Sequence, residues 1–440
     1  MRIWAVRQIF DGEGGRLCLL LLSCALASVL AACGEAEKPP MPTKSSAQSA
    51  LVQLPTTEVQ KFVDIHWERP IAPQGKPPAR FSPVEAALDP DSCGTCHAAQ
   101  FNDWRGSLHA RAMGPGVLGQ LGDMKAGARD EHQECLRCHA PLAEQADSLV
   151  AALASGGAFA DAPQGAPQPL HRHGVMCAAC HVRGHQRYGP PRRDGSEAGD
   201  PATLPHGGWV SSGAFADSRF CAACHQFPTD GYALNGKLLE NTYEEWKASR
   251  YAREGRTCQS CHMLDRRHLW RGIHDRETVQ AGVTIDVTAP RIQSDVLSAT
   301  LTIKNTGTGH HFPTYVTPRV VAEVYQEGAD RKMLKGTLRE YFIGRQVSPD
   351  LSKEIADTRI APDEQASLDY QVPPHRNAAA LVFRVRIEPD AFYTGFYRDL
   401  LAGGRAGKGE QLIRQALKES TASAFTLYLN RQPLPEPAAR

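Results

Sequence analysis

The sequence lacks a surplus of charge of either sign. Its 49 lysine and arginine residues nearly balance 48 aspartate and glutamate residues, which gives a formal net charge of +1 at neutral pH. It also lacks basic runs and basic segments interleaved with aromatic residues. Because nucleic-acid binding depends on such basic surfaces, we expect no nucleic-acid partner. The near-neutral balance likewise indicates no strongly charged partner of another kind.

The N-terminal apolar run is too short to be a confident membrane span. Residues 17–32 form a run of about 16 residues, whereas a spanning helix needs about 20. The run follows three arginines and ends in Leu-Ala-Ala-Cys-Gly, which resembles a bacterial lipoprotein box with Cys33 as the lipidated residue. We therefore predict a lipoprotein signal peptide at 1–32 and a flexible tether at 33–65. The alternative is an ordinary signal peptide with a chance cysteine.

Either signal predicts an exported protein. A lipid on Cys33 would anchor the chain to the membrane, and we expect it at the outer membrane, facing the periplasm or the cell surface.

The sequence has no cysteine to spare for a disulfide or a free thiol. Three of its thirteen cysteines lie in the signal region, at positions 18, 24 and 33. The remaining ten form five C-x-x-C pairs: Cys93 and Cys96, Cys135 and Cys138, Cys177 and Cys180, Cys221 and Cys224, Cys258 and Cys261. Cleavage before Cys33 therefore leaves one lipid site and five pairs.

A histidine follows every pair directly. These five residues are His97, His139, His181, His225 and His262. Two thiols at this spacing can form thioethers with the vinyl groups of one porphyrin, and the next histidine then becomes the proximal iron ligand. Zinc needs four ligands in a closed tetrahedron and no histidine after each pair, while a redox dithiol would occur once. The sequence therefore predicts five covalently bound c-type haems.

The motifs do not identify the distal iron ligands, because twelve further histidines are available. The candidates are His109, His171, His173, His185, His268, His274 and His310, with His311 beside the last. For each, the alternative is a solvated or hydrogen-bonded histidine. We favour that alternative for His206 and His375, which lie in Pro/Gly-rich or polar loops. A five-coordinate iron could bind a small substrate, so the distal side separates an electron carrier from an enzyme.

A local repeat, W-x-x-S-x-[HY]-A, begins at Trp104 and again at Trp246. The first copy contains His109, which makes it the strongest distal candidate. The second copy has Tyr251 in that place, and we expect Tyr251 to be a packing residue because tyrosine is the rarer axial ligand.

Several segments resemble the multihaem cytochrome c superfamily, which includes the tetrahaem cytochrome c that partners hydroxylamine oxidoreductase and the octahaem tetrathionate reductases. They are the first motif with Trp104-x-x-Ser-x-His-Ala, Gly174-Val-Met before the third motif, and the fifth motif with His274-Asp275. The resemblance covers about residues 90–280. It implies mostly bis-histidine haems in alternating parallel and angled pairs, with His109 and His274 as distal ligands. Pentahaem nitrite reductases carry lysine at the catalytic haem, whereas this sequence has no C-x-x-C-K.

The sequence pattern changes after His274: the chain contains no further cysteine, and apolar residues alternate with polar ones. Runs at 283–287, 297–303, 319–325, 366–372 and 381–387 predict strands, 408–420 a helix, and 423–430 a last strand. The predicted fold class is α+β multidomain. A mostly helical and loop-rich pentahaem cytochrome c domain at 66–280 precedes an antiparallel β-sandwich-like domain at 281–440.

These features favour an electron-transfer protein over an enzyme, and they indicate no catalytic residue beyond histidine. We expect it to move electrons between a membrane or periplasmic donor and a partner protein or extracellular acceptor. The alternative is a reductase of a small nitrogen or sulfur oxyanion at one five-coordinate haem. A third hypothesis gives the β-domain the task of docking a partner.

Overall fold

The structure is a computed structural model that describes residues 58–156, 167–197 and 199–435. The predicted signal peptide, the lipidation site Cys33 and most of the predicted tether lie outside these residues. In the described part of the chain, no helix has the length and apolar character needed to cross a bilayer.

The part that carries the C-x-x-C-H motifs consists of short helices and loops. Its helices are Glu58–His66, Pro83–Ala86, Pro90–Gly94, Ala98–Arg105, Pro115–Leu121, Arg129–His139, Ala143–Ser155, Cys177–His181, Arg219–His225, Thr242–Lys247, Arg250–Arg253, Cys258–His262 and Arg276–Gly282. Its strands are β1 Val182–Arg183, β2 Gln186–Gly189, β3 Val210–Ser211, β4 Ala233–Leu234 and β5 Lys237–Leu238. Most of these elements are too short to be stable alone, so packing must hold them.

The first described helix lies in a stretch that the sequence predicts to be tether. Helix Glu58–His66 buries Val63 and His66, and Phe62 packs against the same core. Trp67, Trp104 and Met176 belong to this core as well. The chain is therefore anchored to the motif region from about residue 59 onward.

The C-terminal part contains two antiparallel sheets. Its strands are β6 Val283–Val287, β7 Arg291–Gln293, β8 Val296–Asn305, β9 Arg319–Gly328, β10 Arg339–Ile343, β11 Arg345–Val347, β12 Glu354–Asp357, β13 Gln365–Val372, β14 Ala378–Glu388 and β15 Phe425–Pro433. One sheet has the order β10-β9-β14-β15 and the other β13-β8-β6, with β7 also paired to β8. The strands β11 and β12 form a separate hairpin.

The two sheets face each other across one hydrophobic core, as the period-two pattern predicts. Alternate residues of β13, such as Leu368 and Tyr370, are buried while their neighbours are exposed. They share a core with Leu301 of β8 and with Phe383 of β14. The predicted α+β class with a C-terminal β-domain is confirmed.

The outer face of the β9 sheet carries the buried carboxylates Glu323 and Glu327 alongside the apolar residues Val321 and Tyr325. Glu323 forms ion pairs with Arg384 and Arg386, and Glu327 pairs with Arg431 at 3.1 Å. Cross-strand pairs of this kind fix the register of neighbouring strands.

Two helices of the C-terminal part pack back onto the motif region. Helix Glu410–Ala422 matches the predicted one, whereas helix Ala391–Ala402 lies where the sequence suggested no element. Gly409 and Gly119 approach so closely that a Cβ on Gly409 would lie 2.0 Å from the Gly119 carbonyl oxygen. The C-terminal part is therefore not an independent sandwich, since its helices lie against helix Pro115–Leu121.

Candidate haem centres

Each C-x-x-C-H sequence lies at a short helix, and we number them motif I (Cys93–His97), motif II (Cys135–His139), motif III (Cys177–His181), motif IV (Cys221–His225) and motif V (Cys258–His262). In three motifs the histidine Nδ1–H donates to a distant carbonyl. The acceptors are Ala112 for His139 at 2.6 Å, Tyr188 for His181 at 2.8 Å and Arg271 for His262 at 2.6 Å. This bond fixes the tautomer and leaves Nε2 with a free lone pair, as a metal ligand requires.

Four motif histidines face a second imidazole ring. The ring centres are 6.4 Å apart for His97 and His206, and 6.2 Å apart for His181 and His268. They are 6.3 Å apart both for His225 and His109 and for His262 and His310. An iron bound by two imidazole nitrogens at about 2.0 Å each would hold the ring centres about 6 Å apart. The spacing therefore fits a six-coordinate iron between the rings of each pair.

Three of the four second rings form the same kind of Nδ1 hydrogen bond to a carbonyl as the motif histidines. The Nδ1–H of His206 donates to Gly208, that of His268 to Arg266 and that of His310 to His311, at 2.9–3.0 Å. Burial lowers the pKa of His109 to about 3, and it also lowers the pKa of His206, His268 and His310. These imidazoles are neutral at physiological pH, which is the form that binds iron.

The cysteines contact one another between motifs rather than within them. None of the ten described cysteines forms a disulfide. The thiols hydrogen-bond in three pairs that each join two motifs: Cys93 with Cys177, Cys138 with Cys224, and Cys221 with Cys258. Porphyrins bound to these cysteines would be neighbours in the pairs I–III, II–IV and IV–V. Ten thiols that form no disulfide, together with opposed imidazoles, fit covalent haem.

Comparison with known proteins agrees with this geometry. Residues 92–182 match the family model described as cytochrome c554 and c-prime. A solved structure, the penta-heme cytochrome c552 from Thermochromatium tepidum, is similar in fold. It has a TM-score of 0.56 and 16% sequence identity, and the match covers 80% of this chain and 100% of that chain. No curated protein matches the chain.

By motif and fold the chain is similar to the multihaem cytochromes c. Its five C-x-x-C-H motifs are the sequences to which c-type haem attaches.

The cytochrome does not bring four of the sequence candidates to a motif histidine. The Nε2–H of His173 donates to Gln168 and that of His185 donates to Gly75, so neither ring offers this nitrogen to iron. The Nε2 of His274 pairs with Asp390 at 3.0 Å, although the resemblance implied a distal ligand there. His171 is buried with its Nδ1 bonded to Ser148, and no motif ring lies opposite it.

His206 is the ligand-like residue that sequence reasoning missed. It lies in the loop Pro205–Gly207, which reads as a solvated turn, and yet its ring faces His97. Its backbone N–H donates to the Glu85 carboxylate at 2.7 Å. No local signal marks this position, because Glu85 and His97 are both more than 100 residues away along the chain.

The W-x-x-S repeat has the same internal geometry in both copies. The Trp104 indole donates to the Val175 carbonyl and the Trp246 indole to the Arg256 carbonyl, each at 2.8 Å and each two residues before a motif cysteine. In the second copy the Tyr251 hydroxyl donates to the Thr306 carbonyl at 2.7 Å. Tyr251 thus holds the start of the turn that delivers His310 from the β-domain to motif V.

The turn that carries His310 is held by a buried ion pair. Glu245 accepts from the His311 backbone N–H at 3.1 Å and from the Thr314 hydroxyl at 2.9 Å, and it pairs with Arg359 at 2.7 Å. Burial alone would raise the pKa of Glu245, but the hydrogen bond and charge of His311 and the charge of Arg359 outweigh it and lower that pKa to about 2. The carboxylate is therefore ionised at neutral pH and locks the turn.

Motif II differs from the other four. In the described part of the chain, no aromatic ring of any kind lies in ring contact with His139. Tyr393 acts electrostatically on Cys135 and Tyr315 on Cys138, and the two phenols hydrogen-bond to each other. Burial raises the pKa of Glu240, which interacts with both phenols, and it raises the pKa of Tyr393 to about 12. Motif II therefore combines one imidazole with two protonated phenols.

Proposed function

We propose that this cytochrome carries five haems and conducts electrons between a membrane or periplasmic donor and a partner protein or extracellular acceptor. The observation that supports this most directly is the set of four opposed imidazole pairs at 6.2–6.4 Å. A c-type haem iron with both axial positions filled supplies one-electron exchange and no open coordination site. Four closed centres out of five favour transport over catalysis.

The residues of the chain hold these centres rigidly and close together. Nδ1–carbonyl bonds fix the ring planes of six ligand histidines, so the ligands need little rearrangement when the charge changes. The thiol contacts run from motif I to III, from II to IV and from IV to V. Cys180 of motif III and Cys224 of motif IV also lie close enough to interact electrostatically. Every motif therefore has a neighbour, and motif IV contacts motifs II and V and lies near motif III.

The proposed location is outside the cytoplasm, with the chain anchored through a lipid on Cys33. The N-terminal sequence pattern supports export, and covalent haem attachment suits an extracytoplasmic protein. The segment up to about residue 57 would then join the anchor to the folded part.

We predict five haems by pyridine haemochrome assay of the purified holoprotein. We also expect the oxidised protein to give electron paramagnetic resonance signals of four low-spin haems and one high-spin haem. The four imidazole pairs supply two strong axial ligands each, whereas motif II supplies one. A haem count other than five contradicts the cysteine assignment, and more than one high-spin centre contradicts the imidazole pairs.

Motif II supports a second candidate function, the reduction of a small nitrogen or sulfur oxyanion. Such a reaction consumes protons together with electrons. Tyr315 and Tyr393 are protonated phenols at this motif, and the Cys138–Cys224 contact connects it with motif IV as the electron source. With haem bound, His139 would hold the iron and the phenol groups would donate hydrogen bonds to an oxyanion.

We expect nitrite or sulfite to shift the high-spin signal and to reoxidise the chemically reduced protein. A Tyr393→Phe variant should then lose turnover by roughly 100-fold while its spin states stay unchanged, because general acid catalysis contributes factors of this size. A high-spin signal that responds to cyanide but to neither oxyanion would remove the reductase function and leave the electron carrier.

A further inference from the structure

Two arginines pack against one buried tryptophan in the motif region. The guanidinium carbon of Arg183 lies 5.2 Å from the centre of the Trp67 ring, and that of Arg69 lies 5.4 Å from it. Trp67 is 8% exposed and belongs to the core of the motif region. Cation–π contact with this ring offsets part of the cost of burying two like charges side by side.

Neither guanidinium has an anionic partner in the described part of the chain. Arg183 donates only to backbone carbonyls, those of His66 at 2.7 Å, Ala179 at 3.0 Å and Val182 at 2.6 Å. Arg69 donates to the Ala223 carbonyl at 3.1 Å and to the Cys224 sulfur at 3.2 Å. Carbonyl dipoles satisfy hydrogen-bonding groups, but they leave the net positive charge in place.

The unused hydrogen-bond donors of this pair are sealed. Nη1 of Arg69 and Nη2 of Arg183 are buried and have no hydrogen-bond partner. Burial and the charge of Arg69 together lower the pKa of Arg183 to about 10, so the group remains protonated at neutral pH. Two half-buried cations side by side repel each other, and their presence calls for a role.

The pair lies where three motifs meet. The Arg69 charge acts on Cys138 of motif II, on Cys180 of motif III and on Cys224 of motif IV, and the Arg183 charge acts on Cys180. Some other arginines near the motifs have carboxylate neighbours, for example Arg137 with Glu134 at 3.9 Å. A neighbouring carboxylate offsets much of such a charge, so a guanidinium without one changes the local potential more.

We propose that Arg69 and Arg183 stabilise the reduced state at the junction of motifs III and IV, so that electrons taken from a donor protein collect there. This inference rests on the proposed electron-transfer function. Uptake of one electron turns ferric iron into ferrous iron and lowers the charge of that centre by one. The two cations favour this change because charges in a half-buried site next to a core tryptophan are screened less than charges in water. The haem centres at this junction would then have the highest reduction potential, and electrons that enter at another motif would move toward them.

The test is a spectroelectrochemical titration of the purified holoprotein and of Arg69→Gln, Arg183→Gln and the double variant. In each single variant we expect the equilibrium constant for reducing the highest-potential haem to fall about tenfold. For one electron this corresponds to a reduction potential lower by about 59 mV. His268→Ala and His109→Ala mark the centres of motifs III and IV spectrally, so the shifted component can be assigned.

Three controls separate charge from structure. Arg69→Lys and Arg183→Lys retain the charge and should keep the wild-type potentials, and Arg414→Gln removes an exposed charge that should have no effect because solvent screens it. The proposal fails if the double variant retains all haems and unchanged potentials, or if the lysine variants shift as much as the glutamine variants. A failure of the proposed function would be seen separately, as a wild-type protein with the wrong haem count or spin pattern.

Discussion

Replacing His206 with alanine is expected to convert one haem of the oxidised protein from the low-spin to the high-spin state. His206 faces His97 with the ring centres 6.4 Å apart, and its Nδ1–H is held by the Gly208 carbonyl. Its removal leaves the iron of motif I with one axial ligand, since no other imidazole contacts the His97 ring in the described residues. Electron paramagnetic resonance of the oxidised holoprotein measures the change directly.

Two histidine variants serve as matched controls for His206→Ala. His173→Ala and His375→Ala remove histidines that lie away from every motif ring, one bonded to Gln168 and the other beside Gln326. Both should retain the wild-type spectrum. An unchanged spectrum in His206→Ala, with full haem content, would show that this imidazole does not bind iron. The second axial position at motif I would then not be filled by His206.

The proximal half of each centre and the strands could be predicted because their signals are local. A C-x-x-C-H sequence places both thiols and the imidazole within one helical turn, so five residues suffice. The strands of the C-terminal part follow from alternation, which in β13 places Leu368 and Tyr370 on the buried face. The helix Ala391–Ala402 was not predicted, because its apolar residues pack mainly against helix Glu410–Ala422 and Tyr397 lies against Gly116 of the motif region, contacts that are not local in sequence.

The distal half could be predicted only in part, because its geometry is long-range. His109, His268 and His310 were among the candidates, but the sequence did not assign them to motifs. His310 reaches motif V from a β-domain turn, and His268 reaches motif III from a loop after motif V. The neighbour relations are equally non-sequential, since Cys93 contacts Cys177 and Cys138 contacts Cys224. Only folding decides which imidazole arrives opposite which motif.

Replacing Glu245 with alanine is expected to destabilise the protein by about 1–3 kcal/mol, because the buried Arg359 loses one of its two carboxylate partners and keeps only Asp357. Both side chains of this pair are almost inaccessible, at 3% and 6% exposure. The same change frees the His311 backbone N–H and the Thr314 hydroxyl, so the turn loses its fixed conformation. We therefore expect motif V to become partly high-spin, in addition to a lower urea midpoint.

The exposed pair Arg250–Asp363 is a matched control, because it joins the same two parts of the chain at 3.1 Å but lies 38% and 49% exposed. Asp363→Ala should cost no more than about 1 kcal/mol and leave the spectrum unchanged, as exposed ion pairs contribute little. A Glu245→Ala protein with wild-type spin states would mean that Tyr251 and the sandwich alone position His310. A Glu245→Ala protein with wild-type stability would mean that water replaces the carboxylate beside Arg359. If both changes occur together, the ion pair that stabilises the contact between the two parts also completes the last haem centre.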